Sequence, residues 1–222
     1  MDKYFKKTIN SYNKTANEYF NHVIQFEILP EVDTFCNLSK PEGTVLDLGC
    51  GPGHHSKIFY EKGFNVTGVD FSANMIKIAK RFTPAVKFQV MNILELKFQP
   101  NSFDSIWASA SLIHIKKSDF PLVMENLKKI LTENGLIYFS LKEGIGEENT
   151  IDKRYGGVIK FHAFYNVEEV EECIENSGFK LLKLYKRDQR STYDTNPWIH
   201  VFARNIKKSF KIEHKNLIEF KK

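Results

Sequence analysis

Cysteine is scarce in this chain. The three present, Cys36, Cys50 and Cys173, lie far apart and form no C-x-x-C pair, which excludes a disulfide framework and leaves no zinc-type spacing. No stretch approaches the run of about 18 apolar residues that a membrane-spanning helix needs. The opening residues, Met1 to Lys7, also lack the apolar centre of a signal peptide, so a cytoplasmic location is expected. Repeats and low-complexity blocks are absent. So is a G-x-x-x-x-G-K-[ST] run, which removes a P-loop for a triphosphate. Charge of one sign is not gathered anywhere: the net +5 comes from 32 Lys and Arg interleaved with 27 Asp and Glu. The densest basic stretch, Lys207-Lys208 to Lys221-Lys222, is itself mixed with Glu213 and Glu219. Phosphate neutralisation calls for clustering, so this reads as a solvated surface, and neither a nucleic-acid partner nor a membrane is expected.

Apolar material is plentiful. Hydrophobic residues make up 42% of the 222, with 19 phenylalanines, enough for one sizeable core. Helical patterns at 11–20 and 22–37 precede a first strand near 44–49. A helix over 56–62 stops at Gly63, and a strand follows at 64–70. Ser72 is placed to cap a helix reaching Arg81, and a strand follows Pro84 at 86–91. Next come a strand at 103–108, a helix capped by Ser118 and running to Leu131, and the very apolar strand 136–141. A helix at 167–177 and strands at 179–187 and 198–204 complete the series. Alternating β and α units imply an α/β fold: a Rossmann-like, doubly wound, seven-stranded and mainly parallel sheet with helices on both faces. The division expected is a helical cap at 1–40, a main domain at 41–205 with an insertion at about 144–166, and a basic tail at 206–222.

The most informative segment is Val45-Leu46-Asp47-Leu48-Gly49-Cys50-Gly51-Pro52-Gly53, an apolar run that breaks into a Gly-x-Gly-x-Gly turn. Glycines let backbone approach a ligand closely, and the carboxyl edge of a parallel sheet is where open α/β folds bind it. Asp70, at the end of the next strand, is placed to accept from both hydroxyls of a ribose. The dinucleotide fingerprint wants a third small residue where this chain has His54, so NAD is disfavoured. Cys50, inside the turn, reads as a small space-filler.

This turn, with Asp47 before its first glycine, resembles motif I of class I S-adenosylmethionine-dependent methyltransferases, and Val69-Asp70 resembles the acidic end of their second strand. The resemblance covers roughly residues 10–205 and implies S-adenosyl-L-methionine as cofactor. It implies further that the last strand inserts antiparallel. The cofactor residues it points to are Asp47, Gly49, Cys50, Gly51, Gly53, Asp70, Phe71, Met75, Asn92, Ile93 and Ser109. Asn92 stands where the family commonly has an acid that meets the adenine amine; its carbonyl oxygen can accept there, or it can simply form a turn.

No Asn-Pro-Pro-Tyr or Asp-Pro-Pro-Tyr tetrad follows the fourth strand, which favours a small-molecule acceptor over a DNA base, with RNA or protein methylation, or cofactor binding without transfer, as alternatives. His114 lies where many small-molecule members have a substrate-side histidine; it is either a proton acceptor or a structural loop residue. Lys142 and Glu143, after the fifth strand, are placed to meet a charged substrate group, as substrate ligand and catalytic residue, or to be solvated charges. His162 and Tyr165 either wall a substrate pocket or pack the insertion down. Tyr12 and Tyr19, one face of a helix, resemble the segment that closes over the cofactor in such enzymes; ordinary packing is the other reading. Oligomeric state leaves no trace in the sequence.

Overall fold

In β1 (Thr44–Leu48), Val45 points to one side of the sheet and Leu46 and Leu48 to the other, and all three are buried. The same alternation runs along β5 (Leu131–Glu143), where Leu136 and Tyr138 face one core while Ile137 and Phe139 face another. Strands apolar on both faces need cover on both faces, and that requirement generates two helical layers. The computed structural model describes residues 3–25, 28–188 and 196–206. From residue 207 onward, the tail expected at 206–222 lies outside the described residues.

One layer holds α3 (Pro30–Leu38), α4 (His54–Glu61) and α5 (Ala73–Phe82), which bring Phe35, Phe59 and Ala79 against Val45, Trp107 and Tyr138. The other holds α6 (Phe120–Ile130) and α7 (Val167–Asn176), whose Val123, Leu127, Val170 and Ile174 join Leu46, Ile106 and Phe139. Between them the strands run β3 (Lys87–Val90), β2 (Asn65–Asp70), β1, β4 (Phe103–Ala108) and β5, all parallel. Beyond β5 lies β9 (Trp198–Asn205), antiparallel to β5 and to β8 (Phe179–Arg187) on its other side. These seven strands are the doubly wound sheet read from the sequence, with the last strand inserted antiparallel.

Three local features differ from the sequence reading. The stretch expected as one helix over 22–37 is split: α1 (Lys3–Lys14) and α2 (Ala16–Val23) are followed by α3, which begins at Pro30. Proline fixes φ and lacks an N–H, so it starts a helix well and continues one badly. The helix assigned to a Ser118 cap begins instead at Phe120, with Asp119 as its N-cap and a proline in the first turn. The insertion is itself β-structure: β6 (Glu147–Asp152) and β7 (Val158–Tyr165) form an antiparallel hairpin, and β7 runs parallel beside the end of β5 through Lys142↔Phe164 and Glu143↔Tyr165. α1 packs across β7. Among the described residues no helix is long and apolar enough to cross a membrane.

Candidate cofactor and acceptor site

Gly49, Gly51 and Gly53 all have left-handed φ, at 74°, 53° and 85°. The amides of Gly49 and Cys50 both donate to the carbonyl of Val69, at 2.8 and 2.9 Å, which folds the turn back onto the end of β2. Asp70 then stitches the two loops together: its Oδ2 accepts from the Gly51 amide at 2.9 Å and its Oδ1 from the Ser72 amide at 2.7 Å. The three glycines serve different ends. A Cβ on Gly49 would stand 2.4 Å from Cβ of Ser111, whereas one on Gly51 would meet only the Tyr19 ring at 3.7 Å. On Gly53 it would press into Phe88 and Ala79, so that glycine is a packing residue.

Two adjoining cavities, with about 300 and about 370 Å³ of empty space that includes open solvent, lie against this turn and share Gly49, Asp70, Phe71, Ser111 and His114. The first is completed on its apolar side by Met91, Ile93 and Ile115, the second by Met75, Ser109, Tyr12 and Tyr19. Burial pushes the Asp70 carboxyl up to about 6, against the opposing effect of the Ser72 and Gly51 amides. A buried carboxylate beside an open glycine, with apolar walls on one flank, suits a ligand that carries a sugar diol and a flat base. Ser111 adds a further polar atom, since its buried Oγ has no hydrogen-bond partner among the described residues.

The cavities are roofed. Asn13 Oδ1 accepts from Ser72 Oγ at 2.7 Å, and Asn74 Nδ2 donates to the Asn13 carbonyl at 2.9 Å, tying α1 to the loop after β2. On the opposite flank Ser11 Oγ donates to the Ile159 carbonyl at 2.6 Å, and the Phe161 amide donates to Thr8 Oγ1 at 3.0 Å. Under this roof the His114 ring is held at both nitrogens. Nδ1 lies 2.7 Å from the Phe161 carbonyl, which can only accept, so Nδ1 carries the proton and Nε2 accepts from the Tyr12 hydroxyl at 2.9 Å. Burial, reinforced by Lys160 and Lys142, lowers the His114 pKa to about 3. His162, 5.0 Å from His114 between ring centroids, is lowered to about 2 by burial, by His114 and by the same lysines. Lys160 is buried, pairs with Asp152 at 2.9 Å, and sits over the rings of Tyr12 at 4.2 Å and Tyr155 at 4.9 Å.

Of the residues named from sequence, Gly49, Gly51, Asp70, Phe71, Met75, Ile93, Ser109, His114, Tyr12 and Tyr19 meet at the cavities. Eight do not line them. Asn92 turns its Oδ1 to the Leu94 amide at 3.1 Å, capping a short 3-10 turn instead of facing the cavity. Asp47 lies below the turn, accepting from Ser56 Oγ at 2.6 Å, with its pKa raised to about 7 by burial. The Cys50 side chain is buried in the core beneath, under Gly68, and Gly53 packs as described. Glu143 is bound to Lys186 at 2.9 Å, which commits it elsewhere. Tyr165 packs against Phe120 in the main core. Lys142 stands over the Trp198 ring at 5.6 Å, near the two histidines but outside the lining. His162 lies one ring behind His114. The sequence reading missed Ser111, Met91, Lys160 and Asp152. A serine two positions beyond Ser109 carried no pattern, and the Lys–Asp pair is visible only once the hairpin is known.

The fold and the turn define a Rossmann-like site for a nucleoside-bearing cofactor. Residues 45–135 match the methyltransferase domain family, a span that contains the glycine turn, Asp70 and His114. The malonyl-[acyl-carrier protein] O-methyltransferase of Buchnera aphidicola is 31% identical over 140 residues, covering 61% of this chain and 54% of that protein. The chain thus spans about half the length of that curated relative. The 1,6-didemethyltoxoflavin-N1-methyltransferase of Burkholderia thailandensis, solved with S-adenosylhomocysteine, superposes with a TM-score of 0.72 at 17% identity, covering 91% of this chain and 88% of that one. A SAM-dependent methyltransferase from Methanosarcina mazei gives 0.72 at 16% identity over 82% and 99%. At such identities the likeness is one of fold. In its glycine turn, its family match over residues 45–135 and its fold, the chain is similar to the class I S-adenosylmethionine-dependent methyltransferases.

Proposed function

We propose that this protein transfers a methyl group from S-adenosyl-L-methionine to a small-molecule acceptor. The observation that carries the reading is Asp70, buried at the end of β2, bonded to the Gly51 and Ser72 amides and exposed to a cavity whose other edge is the open Cα of Gly51. In this reading Asp70 holds the ribose hydroxyls, Gly49 and Gly51 admit the methionine portion, and Met91 and Ile93 sandwich the adenine. Ser111 supplies a further hydroxyl to the same ligand. The bound sulfonium supplies an electrophilic methyl for in-line displacement. The residues' task is alignment, and holding two reactants in register supplies about 7–11 kcal/mol in ideal cases. The roof over the cavities, with Tyr12 of α1 and Tyr19 of α2 in their lining, supports a small acceptor over RNA or a folded protein. A structural neighbour named for 1,6-didemethyltoxoflavin supports the same class.

Calorimetric titration with S-adenosylhomocysteine tests the cofactor half. Asp70→Ala removes charge-assisted hydrogen bonds worth about 2–3 kcal/mol, so affinity should fall by about 30-fold to 150-fold. Binding left unchanged by that substitution defeats the assignment.

A further inference from the structure

Among the described residues on the acceptor side of the cavity, each group able to take up a proton is either engaged or a poor base. His114 donates from Nδ1 to Phe161 and accepts at Nε2 from Tyr12. His162 Nδ1 is 2.6 Å from Thr150 Oγ1, and burial with the neighbouring positive charges lowers its pKa to about 2, so its other nitrogen is a poor proton acceptor. The Asp152 carboxylate takes the Arg154 guanidinium through Nε and Nη2, both at 2.9 Å, and Lys160 at 2.9 Å. Glu143 belongs to Lys186. Asp70 faces the cofactor side, with each oxygen taken by a backbone amide. Tyr12 and Tyr19 are phenols whose pKa burial raises, so they keep their protons.

The same region has an excess of positive charge. Lys142, Lys160 and Arg154 all act on it, and Asp152 is the carboxylate bonded to Lys160 and Arg154. Lys160 and Lys142 both act on His114 and on His162, and Arg154 and Lys142 both act on Lys160. An amine acceptor would arrive as an ammonium into this field and be repelled. An alcohol would have to shed a proton where the described residues offer only weak or hydrogen-bonded bases.

Resting on the methyl-transfer reading above, we propose that the acceptor is a small carboxylate, which enters the site already ionised and leaves as its methyl ester. A lone pair of the carboxylate oxygen forms the new C–O bond, and the S–C bonding pair returns to sulfur. Sulfonium and carboxylate become thioether and ester. One positive and one negative charge cancel, and no proton is released or taken up. His114 and Tyr12 then act as a fixed hydrogen-bonded wall, and Lys142 and Lys160 provide the field that holds the anion.

The test incubates the full chain with methyl-labelled S-adenosylmethionine and a small-metabolite extract, then treats the products with dilute alkali. An ester surrenders its label as volatile methanol, while N-, S-, C- and ether-linked methyl groups survive. Most of the transferred label is expected to be volatile. With the identified acid, turnover in weak buffer should release no proton, and kcat/KM should stay level from about pH 6 to about pH 9, above the usual carboxyl pKa. Lys142→Met should raise the acceptor KM by about tenfold, the scale of one charge contact, with S-adenosylhomocysteine affinity retained. Alkali-stable label, or one proton released per methyl transferred, overturns the carboxylate assignment and leaves methyl transfer standing. S-adenosylhomocysteine binding with no label in any product overturns both.

Discussion

Tyr12 and His114, 102 residues apart in the chain, are joined by a 2.9 Å hydrogen bond beneath the roof of the site. The bond fixes the imidazole as the Nδ1–H tautomer, because the Phe161 carbonyl on its other side has no proton to give. Tyr12→Phe leaves a buried nitrogen acceptor without a donor, a defect that costs about 1–3 kcal/mol. Urea unfolding should show a loss in that range, and nitrogen spectra should keep the Nδ1–H pattern of His114 in both proteins. An Nε2–H signal in the unsubstituted protein would contradict the assignment.

The glycine turn separates stability from binding. Gly49→Ala forces a side chain into left-handed backbone and against Ser111 Cβ at 2.4 Å. Strain and overpacking together predict a loss of about 3 kcal/mol. Gly51→Ala meets only the Tyr19 ring. Its stability cost should be about 1 kcal/mol, with most of the effect in weakened S-adenosylhomocysteine binding. Thermal melts and titrations on the two variants should rank them in opposite orders.

Asp47 predicts a pH dependence of opposite sign to that of a salt-bridged acid. Its folded pKa, about 7, lies above the ordinary value of 3.8, so the native state holds a proton that the unfolded state has lost. Stability from this group is therefore intact below the ordinary value and declines as pH rises toward 7. Asp47→Asn keeps an acceptor for Ser56 and removes the titration. The variant should gain on the unsubstituted protein as pH rises from about 4 to about 7, by a few kcal/mol at about 1.4 per pH unit. Parallel unfolding curves at all pH values would refute this.

Much of the architecture was legible because period-two alternation in residues 45–48 and 136–139 announces strands buried on both faces, and because Gly49, Gly51 and Asp70 sit where the sheet's carboxyl edge must be. The hairpin was not. β6 reads Glu-Glu-Asn-Thr-Ile-Asp and is mostly exposed, so no apolar periodicity marks it, and the Gly156-Gly157 turn alone suggests only a loop. Without the hairpin, Lys160 looks like any surface lysine. Its partner Asp152, eight residues earlier, is brought to it only by the turn between β6 and β7. Asn92 and Tyr165 had the right chemistry at the right sequence position, but local capping and core packing claimed them.

Lys160→Met tests the cage beneath the roof. Burial alone would raise the Asp152 pKa, but the Arg154 fork and Lys160 hold it far below the usual carboxylate range. Removing one partner of such a buried pair costs about 3–5 kcal/mol. Loss of the cation under Tyr12 and Tyr155 should also loosen α1 and α2. Hydrogen exchange over residues 3–23 should quicken more than over β1; uniform quickening would contradict a local clamp.

Because α1 is sewn to the Ser72 loop along one seam and to β7 along the other, the two half-sites share a single door. Any swing wide enough to bare Asp70 also wets His114, so neither ligand can be traded while the other stays dry. On the methyl-transfer reading proposed above, release of the spent nucleoside and escape of the product are coupled to that same opening.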